Sequence, residues 1–224
     1  MRRGQLAAKG LVKYLLGAVI VGLLVFLPAG TLHYFCGWLF MGVLFIPMLV
    51  MGVFLLIKDP ALLEKRLNAK EKQSEQQLVV KLSALMFLAG FILCGLDFRF
   101  QWLTLPRWMP LAAAAAFLFG YGMYAEVLRE NTYLSRTIEV QKEQKVIDTG
   151  LYGLIRHPMY TATILMFVTL PLVLGSAAAL PVFLLYPAII VKRIGNEEKV
   201  LTAELKGYAE YREKVKYRLF PYLW

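Results

Sequence analysis

The sequence predicts an all-α, polytopic membrane protein with about four spans followed by a C-terminal helical hairpin. Three observations carry this expectation. The chain is 59% hydrophobic and only 18% charged, with a mean hydropathy of +0.58, whereas soluble domains are about half apolar and a quarter charged. Its apolar residues fall in runs long enough to cross a hydrocarbon core about 30 Å thick, which takes ~20 helical residues. Its Lys and Arg residues are segregated between the connections that link those runs.

The runs are Tyr14–Gly30, Phe35–Ile57, Leu82–Leu96 and Pro110–Leu128. The first follows Met1-Arg2-Arg3 and resembles a signal peptide. Leu27-Pro28-Ala29 is a poor small-x-small cleavage site, however, so the run is expected to be a retained span. A longer stretch, Met159–Val191, is interrupted at Gly175-Ser176. Each half is about 15 residues, or roughly 22 Å as helix, which reads as a hairpin with short legs. Pro171, Pro181 and Pro187 predict kinks within those legs. The organisation is thus 1–128, N-terminal transmembrane helices, and 129–224, a region with the hairpin and a polar tail.

Of the 25 Lys and Arg residues, 23 lie in the N-terminal arm, the 58–81 loop, the 129–156 loop and the tail. Only Arg99 and Arg107 lie on the other side. By the positive-inside rule both termini and both long loops are cytoplasmic, in the plasma membrane of a bacterium or the endoplasmic reticulum of a eukaryote. The formal net charge of +10 therefore labels topology and points away from nucleic acid, while anionic headgroups are natural neighbours. Cys36 and Cys94 lie in or beside apolar runs and read as buried thiols. Two histidines, His33 and His157, offer no Cys/His zinc site.

Gly120-Tyr121-Gly122-Met123-Tyr124-Ala125 matches G-x-G-x-x-A. It lies inside a span, without the strand and phosphate-facing helix start that give that pattern its meaning. Its small residues read as a close helix-packing face instead. Two other segments hold chemistry. The first runs from Asp148 to Tyr160 and includes Thr149-Gly150, Tyr152 and Arg156-His157-Pro158-x-Tyr160. Pro158 suits the first turn of the next helix, placing Arg156 and His157 beside unpaired N–H groups that favour a carboxylate or phosphate. Taken singly, Arg156 or Tyr152 reads as a snorkelling or interfacial side chain.

The second segment follows the hairpin: Arg193, Glu197, Glu198, then Tyr208, Tyr211 and Pro221. If the returning leg continues as a helix, Arg193 and Glu197 share a face. Tyr208, eleven residues past Glu197, falls near it unless Gly207 breaks the register. A solvated amphipathic tail is the plain alternative. Together the two segments offer carboxylates for a cation, aromatic faces for cation–π contact, and Arg/His for an anion. S-adenosylmethionine is one ligand that would use all three.

At these residues the sequence resembles the isoprenylcysteine carboxyl methyltransferase family of integral-membrane, S-adenosylmethionine-dependent methyltransferases, to which phospholipid N-methyltransferases are related. The resemblance runs from about Asn131 to Trp224. It implies S-adenosylmethionine as cofactor, with Tyr152, Arg156, His157, Pro158, Tyr160, Glu197, Tyr208 and Tyr211 as its binding residues. Arg193 and Glu198 are implied in placing the substrate carboxylate. There are departures: Ala162 stands where a Gly commonly follows the Arg-His-Pro-x-Tyr motif. No His precedes the Thr-Gly turn, Gln144 and Lys145 being nearest.

The resemblance implies methyl transfer to a lipophilic acceptor, a carboxylate in the first instance. A carboxylate needs no base, only positioning and exclusion of water. An amine acceptor would need one, and Glu197 or Glu198 could serve. The lipophilic or lipidated substrate would arrive between spans and the cofactor from the cytoplasm. The alternatives are an NADPH-dependent membrane reductase of sterol-reductase type and a non-enzymatic membrane scaffold.

Overall fold

The structure, a computed structural model, describes residues 3–67, 74–134 and 140–224. The basic residues Arg2, Lys70, Lys72 and Arg136, counted above, lie outside them. The described residues form helices joined by short links. In chain order these are α1 Arg3–Ala29, α2 Phe35–Lys58, α3 Pro60–Leu67, α4 Ser74–Phe100 and α5 Met109–Glu130. There follow α6 Pro158–Val173, α7 Leu180–Phe183, α8 Leu185–Glu204 and α9 Tyr208–Lys214. Four of them, α1, α2, α4 and α5, are long and apolar enough to cross a membrane. This is the expected all-helical, polytopic architecture.

Two spans are longer than their apolar runs. Helix α1 begins at Arg3 and α4 at Ser74, because hydropathy registers the part of a helix in lipid, whereas backbone hydrogen bonding continues through polar turns beyond it. The helices pack around a core that includes Val25, Phe40, Phe117, Leu170, Phe183 and Ile194. Helix α1 is part of it, contributing Val25, Phe26 and Ala29. Close packing depends on missing side chains. A Cβ on Gly95 would stand 2.6 Å from the Val25 carbonyl oxygen, and one on Gly120 would stand 2.8 Å from Met166 Cγ and 3.1 Å from the Ala162 oxygen. The Gly120 region is therefore the helix-packing face that the sequence reading assigned it, set against α6.

The hairpin forms as expected, with α6 only 16 residues long, about 24 Å at 1.5 Å per residue. Its apex is stitched to the rest of the bundle. Gly175 turns the chain at φ +73°, and Ser176 Oγ donates to Asp97 Oδ2 at 2.6 Å while accepting Ala179 N–H at 3.2 Å. Tyr34 donates its hydroxyl to the Leu174 carbonyl. The second leg departs from expectation. Pro181 and Pro187 do not kink a continuous helix; they fall in the first turns of α7 and α8, where a missing N–H leaves no bond broken. Of these three prolines, Pro171 alone lies inside its helix, near the end of α6. Cys94 is buried and Cys36 half-buried, both as free thiols.

Beyond Val191, α8 runs on to Glu204 and carries Arg193, Glu197 and Glu198 clear of the apolar part of the hairpin. Gly207, at φ +87°, then reverses the chain into α9. The helix ends before Tyr208, so Tyr208 comes back beside Glu197 by chain reversal and not by helical register. Tyr208, Tyr211 and Val215 pack with Leu205 and, from the preceding long loop, with Val140 and Val146.

Candidate active site

The site is assembled where the end of α5, the start of α6, the second half of α8 and the tail meet. Helix α5 ends in Glu130 and Asn131, and both grip the turn that follows. Thr149 Oγ1 donates to Glu130 Oε2 at 2.6 Å, and Asn131 Nδ2 donates to the Tyr152 hydroxyl at 2.9 Å. A short 3-10 turn, Gly150–Gly153, buries Tyr152, whose carbonyl accepts the Tyr211 hydroxyl at 2.8 Å. Pro158 is then the first residue of α6, with His157 as its N-cap.

The backbone leading into this helix is held by the tail. Arg156 N–H donates to the Tyr217 carbonyl and His157 N–H to the Arg218 carbonyl, each at 2.9 Å, and Thr161 Oγ1 donates to Leu219 O at 2.8 Å. The tail lies across the beginning of α6 as a strap and takes up the N–H groups of the two residues that precede it. Arg156 is likewise engaged: its guanidinium donates from Nε to Glu198 Oε1 at 2.8 Å, and from one terminal nitrogen to the Val215 and Lys216 carbonyls at 2.7 Å each.

Glu198 is the hub of this strap. His157 Nε2 meets its Oε1 at 3.1 Å, and Arg218 Nε donates to its Oε2 at 3.0 Å. The residue is only 4% exposed. Burial alone would raise its pKa, but hydrogen bonds from His157, Arg218 and Arg156 outweigh burial and hold the carboxyl well below the usual carboxylate range.

Glu197 faces the other way. Consecutive helical residues point about 100° apart, so the adjacent acids divide. Tyr160 donates its hydroxyl to Glu197 Oε2, and the Tyr160 hydroxyl oxygen accepts from Arg193 Nε at 2.9 Å. The Tyr160 ring stacks on His157, 5.8 Å between centroids and 29° between planes.

These side chains line one cavity. Of the residues singled out from sequence, Tyr152, Arg156, His157, Tyr160, Arg193, Glu197, Tyr208 and Tyr211 are on its wall. Pro158 and Glu198 are not among the described lining residues; the first starts α6 and the second anchors the strap. The wall also includes Asn131, Tyr133, Leu134 and the 144–147 segment. Sequence reasoning gave these no role, although Gln144 and Lys145 were noted as replacing a histidine. The phenols of Tyr152, Tyr208 and Tyr211 are pushed up by burial, so they remain protonated donors. The Tyr208 hydroxyl is buried and has no hydrogen-bond partner.

Fold and site together define an all-helical, multi-pass membrane protein with a tyrosine-lined polar cavity at the base of a hairpin, on the face where its cations collect. The model of the isoprenylcysteine carboxyl methyltransferase (ICMT) family matches residues 112–203 of the chain. Its fold is similar to that of the eukaryotic intramembrane Ras methyltransferase ICMT, with a TM-score of 0.52 and 16% identity over 99% of this chain and 98% of that one. The mouse (Mus musculus) Delta(14)-sterol reductase TM7SF2 is 30% identical over 91 residues, covering 39% of this chain and 22% of the reductase. The chain thus spans about a fifth of the length of that curated relative.

Proposed function

We propose that this protein is an integral-membrane methyltransferase that uses S-adenosylmethionine and methylates a lipophilic acceptor, in the first instance a carboxylate as in isoprenylcysteine O-methylation. The observation that carries this reading is the Arg193–Tyr160–Glu197 chain on the wall of a tyrosine-lined cavity. It sets one cation and one carboxylate on opposite sides of a single hydroxyl.

The residues fit the cofactor. Glu197 favours a cationic centre, tyrosine faces accept cations and a flat base, and the unpartnered Tyr208 hydroxyl is a buried polar atom that a bound ligand would complete. When bound, the cofactor supplies an electrophilic methyl group. The chain's own part is placement. Arg193 holds an acceptor carboxylate by charge and hydrogen bonding without removing its electron pair, and no base is required because the acceptor is already ionised. Tyr160 fixes the Arg193 guanidinium through Nε, so the acceptor meets a cation of set orientation. An amine acceptor would need a proton removed. Glu197 is the acid on the described wall that is placed to accept it, since Glu198 is held ionised by Arg156 and Arg218 and by its hydrogen bond with His157.

The basic face is read as cytoplasmic, with both termini on it, in the plasma membrane of a bacterium or the endoplasmic reticulum of a eukaryote. The cofactor then arrives from the aqueous side and the lipophilic or lipidated acceptor laterally from the bilayer. The match to the sterol reductase supports a second reading, an NADPH-dependent membrane reductase. The commitment of Arg156 and Arg218 to Glu198 weighs against it, because a dinucleotide's phosphates would compete for those cations.

Calorimetry on purified protein tests the proposal. Micromolar binding of S-adenosylmethionine supports it, and saturable NADPH binding in its place overturns it. Membranes incubated with methyl-labelled cofactor then identify the acceptor class: base-labile label marks an ester, and base-stable label marks an amine.

A further inference from the structure

The tail builds a second cavity on the far side of Arg156. Its wall includes three cations, Arg156, Lys216 and Arg218, and three aromatic side chains, Tyr217, Tyr222 and Trp224. No acid is among the described lining residues. The backbone explains the arrangement. Val215 and Leu219 are buried, and the chain leaves α9 in an extended conformation. The period of two of an extended segment then turns Lys216 and Arg218 to the opposite side. Beyond them the chain curls back. The N–H groups of Arg218, Leu219 and Phe220 all donate to the Trp224 oxygen, at 2.9, 3.0 and 3.3 Å. The Arg218 guanidinium lies over the Trp224 ring, 4.9 Å from its centroid, and the Tyr217 and Tyr222 rings meet at 5.3 Å.

The cations are unequally engaged. Arg218 gives Nε and one terminal nitrogen to Glu198, while its other terminal nitrogen has no partner among the described residues. Lys216 is exposed, and its ammonium has no hydrogen bond or ion pair among the described residues. A guanidinium edge and an ammonium suit a phosphate group, and a single phosphate takes them without displacing Glu198.

The depth of the cavity indicates what carries that phosphate. Leu219 joins the core of the helical bundle, and its carbonyl accepts Thr161 Oγ1 from the first turn of α6. The residues that follow therefore lie where the apolar part of α6 begins. Tyr222 and Leu223 are 90% and 80% exposed there, and Phe220 is exposed beside them. Aromatic and apolar side chains flanking cations at that level match a membrane interface, and basic clusters there attract anionic headgroups.

We infer that this cavity binds one anionic phospholipid, its phosphate on Lys216 and Arg218 and its glycerol and acyl region against Leu223 and Phe220. Arg156 lines both cavities, so the lipid braces the strap beside the first one. The inference is independent of which cofactor or acceptor that first cavity takes.

The test is calorimetric titration of the full chain in detergent with three probes: short-chain phosphatidylglycerol below its micellar concentration, phosphatidylcholine of the same chain length, and inorganic phosphate. Phosphatidylglycerol is expected to bind saturably, about tenfold or more tighter than the other two. Lys216→Met should weaken it about tenfold, the effect of one charge-assisted hydrogen bond, and leave the lipid-free unfolding midpoint unchanged. Lys206→Met removes an exposed cation outside the cavity and should leave the affinity unaltered. Equal weakening by the two substitutions overturns the site in favour of diffuse attraction to the basic face. Equal affinity for the two lipids overturns it as well, and inorganic phosphate bound as tightly as phosphatidylglycerol overturns the lipid as occupant.

Discussion

Arg156 and Glu198, 42 residues apart in sequence, form a buried ion pair at 2.8 Å. It ties the start of one helix to the middle of another and, through the Val215 and Lys216 carbonyls, to the tail. Arg218 and His157 complete the knot. A pair this enclosed is weak evidence of net stabilisation, but removing one partner leaves the other charged and buried, at a cost of about 3–5 kcal/mol.

Glu198→Ala should accordingly lower the unfolding midpoint sharply and expose the tail beyond Val215 to proteolysis. Arg218→Ala should do less, because Arg218 is more exposed than Arg156. Equal effects of the two substitutions, measured by thermal unfolding and limited digestion, would refute the hub role of Glu198.

The same carboxylate sets an acid limit. Its pKa is lower folded than unfolded, so its stabilisation is present above the ordinary carboxylate value of 4.5 and is lost as pH falls through the folded value. Stability should therefore decline on acidification below about pH 4.5. Glu198→Gln should remove that part of the slope, and melting curves at several pH values in the two proteins make the comparison.

Tyr160→Phe deletes the hydroxyl that joins Arg193 to Glu197 and keeps the ring on His157. On the proposed mechanism the acceptor loses its set orientation, so kcat/KM for the acceptor should fall about tenfold, as for one hydrogen bond to a charged group. Cofactor affinity should change less than that. An unaltered kcat/KM would take Tyr160 out of acceptor placement.

Packing gives a prediction independent of function. Gly95→Ala would put a Cβ 2.6 Å from the Val25 carbonyl oxygen, a clash with backbone that cannot swing aside. About 1–3 kcal/mol of destabilisation follows. Gly122→Ala meets nothing within 4 Å and should be neutral in the same assay.

The four spans were legible in the sequence because lipid imposes a length and a polarity on any helix that crosses it. The hairpin was legible too, since Gly175-Ser176 interrupts an apolar stretch of the right length. Its second leg was not, because a proline in sequence marks either a kink or a helix start. Which one it marks depends on whether an unbroken turn of helix precedes it, and before Pro181 and Pro187 none does. Among the candidate site residues, Arg193, Glu197 and Tyr160 were visible as chemistry-bearing groups at the membrane boundary. Asn131, Tyr133 and Leu134 were not, since their place on the cavity wall arises from the folding back of a loop.

What the amino-acid sequence determined by itself was the membrane, the segregation of the cations and the residue types available at the rim, because each depends on local composition against a fixed solvent geometry. What only the tertiary structure decided was the division of labour between adjacent acids. Glu197 and Glu198 are equivalent in sequence. On a helix they diverge by about 100°, and the tail that returns 20 residues later brings Arg218 to one face only. One acid becomes the anchor of a strap and the other is left to face the cavity.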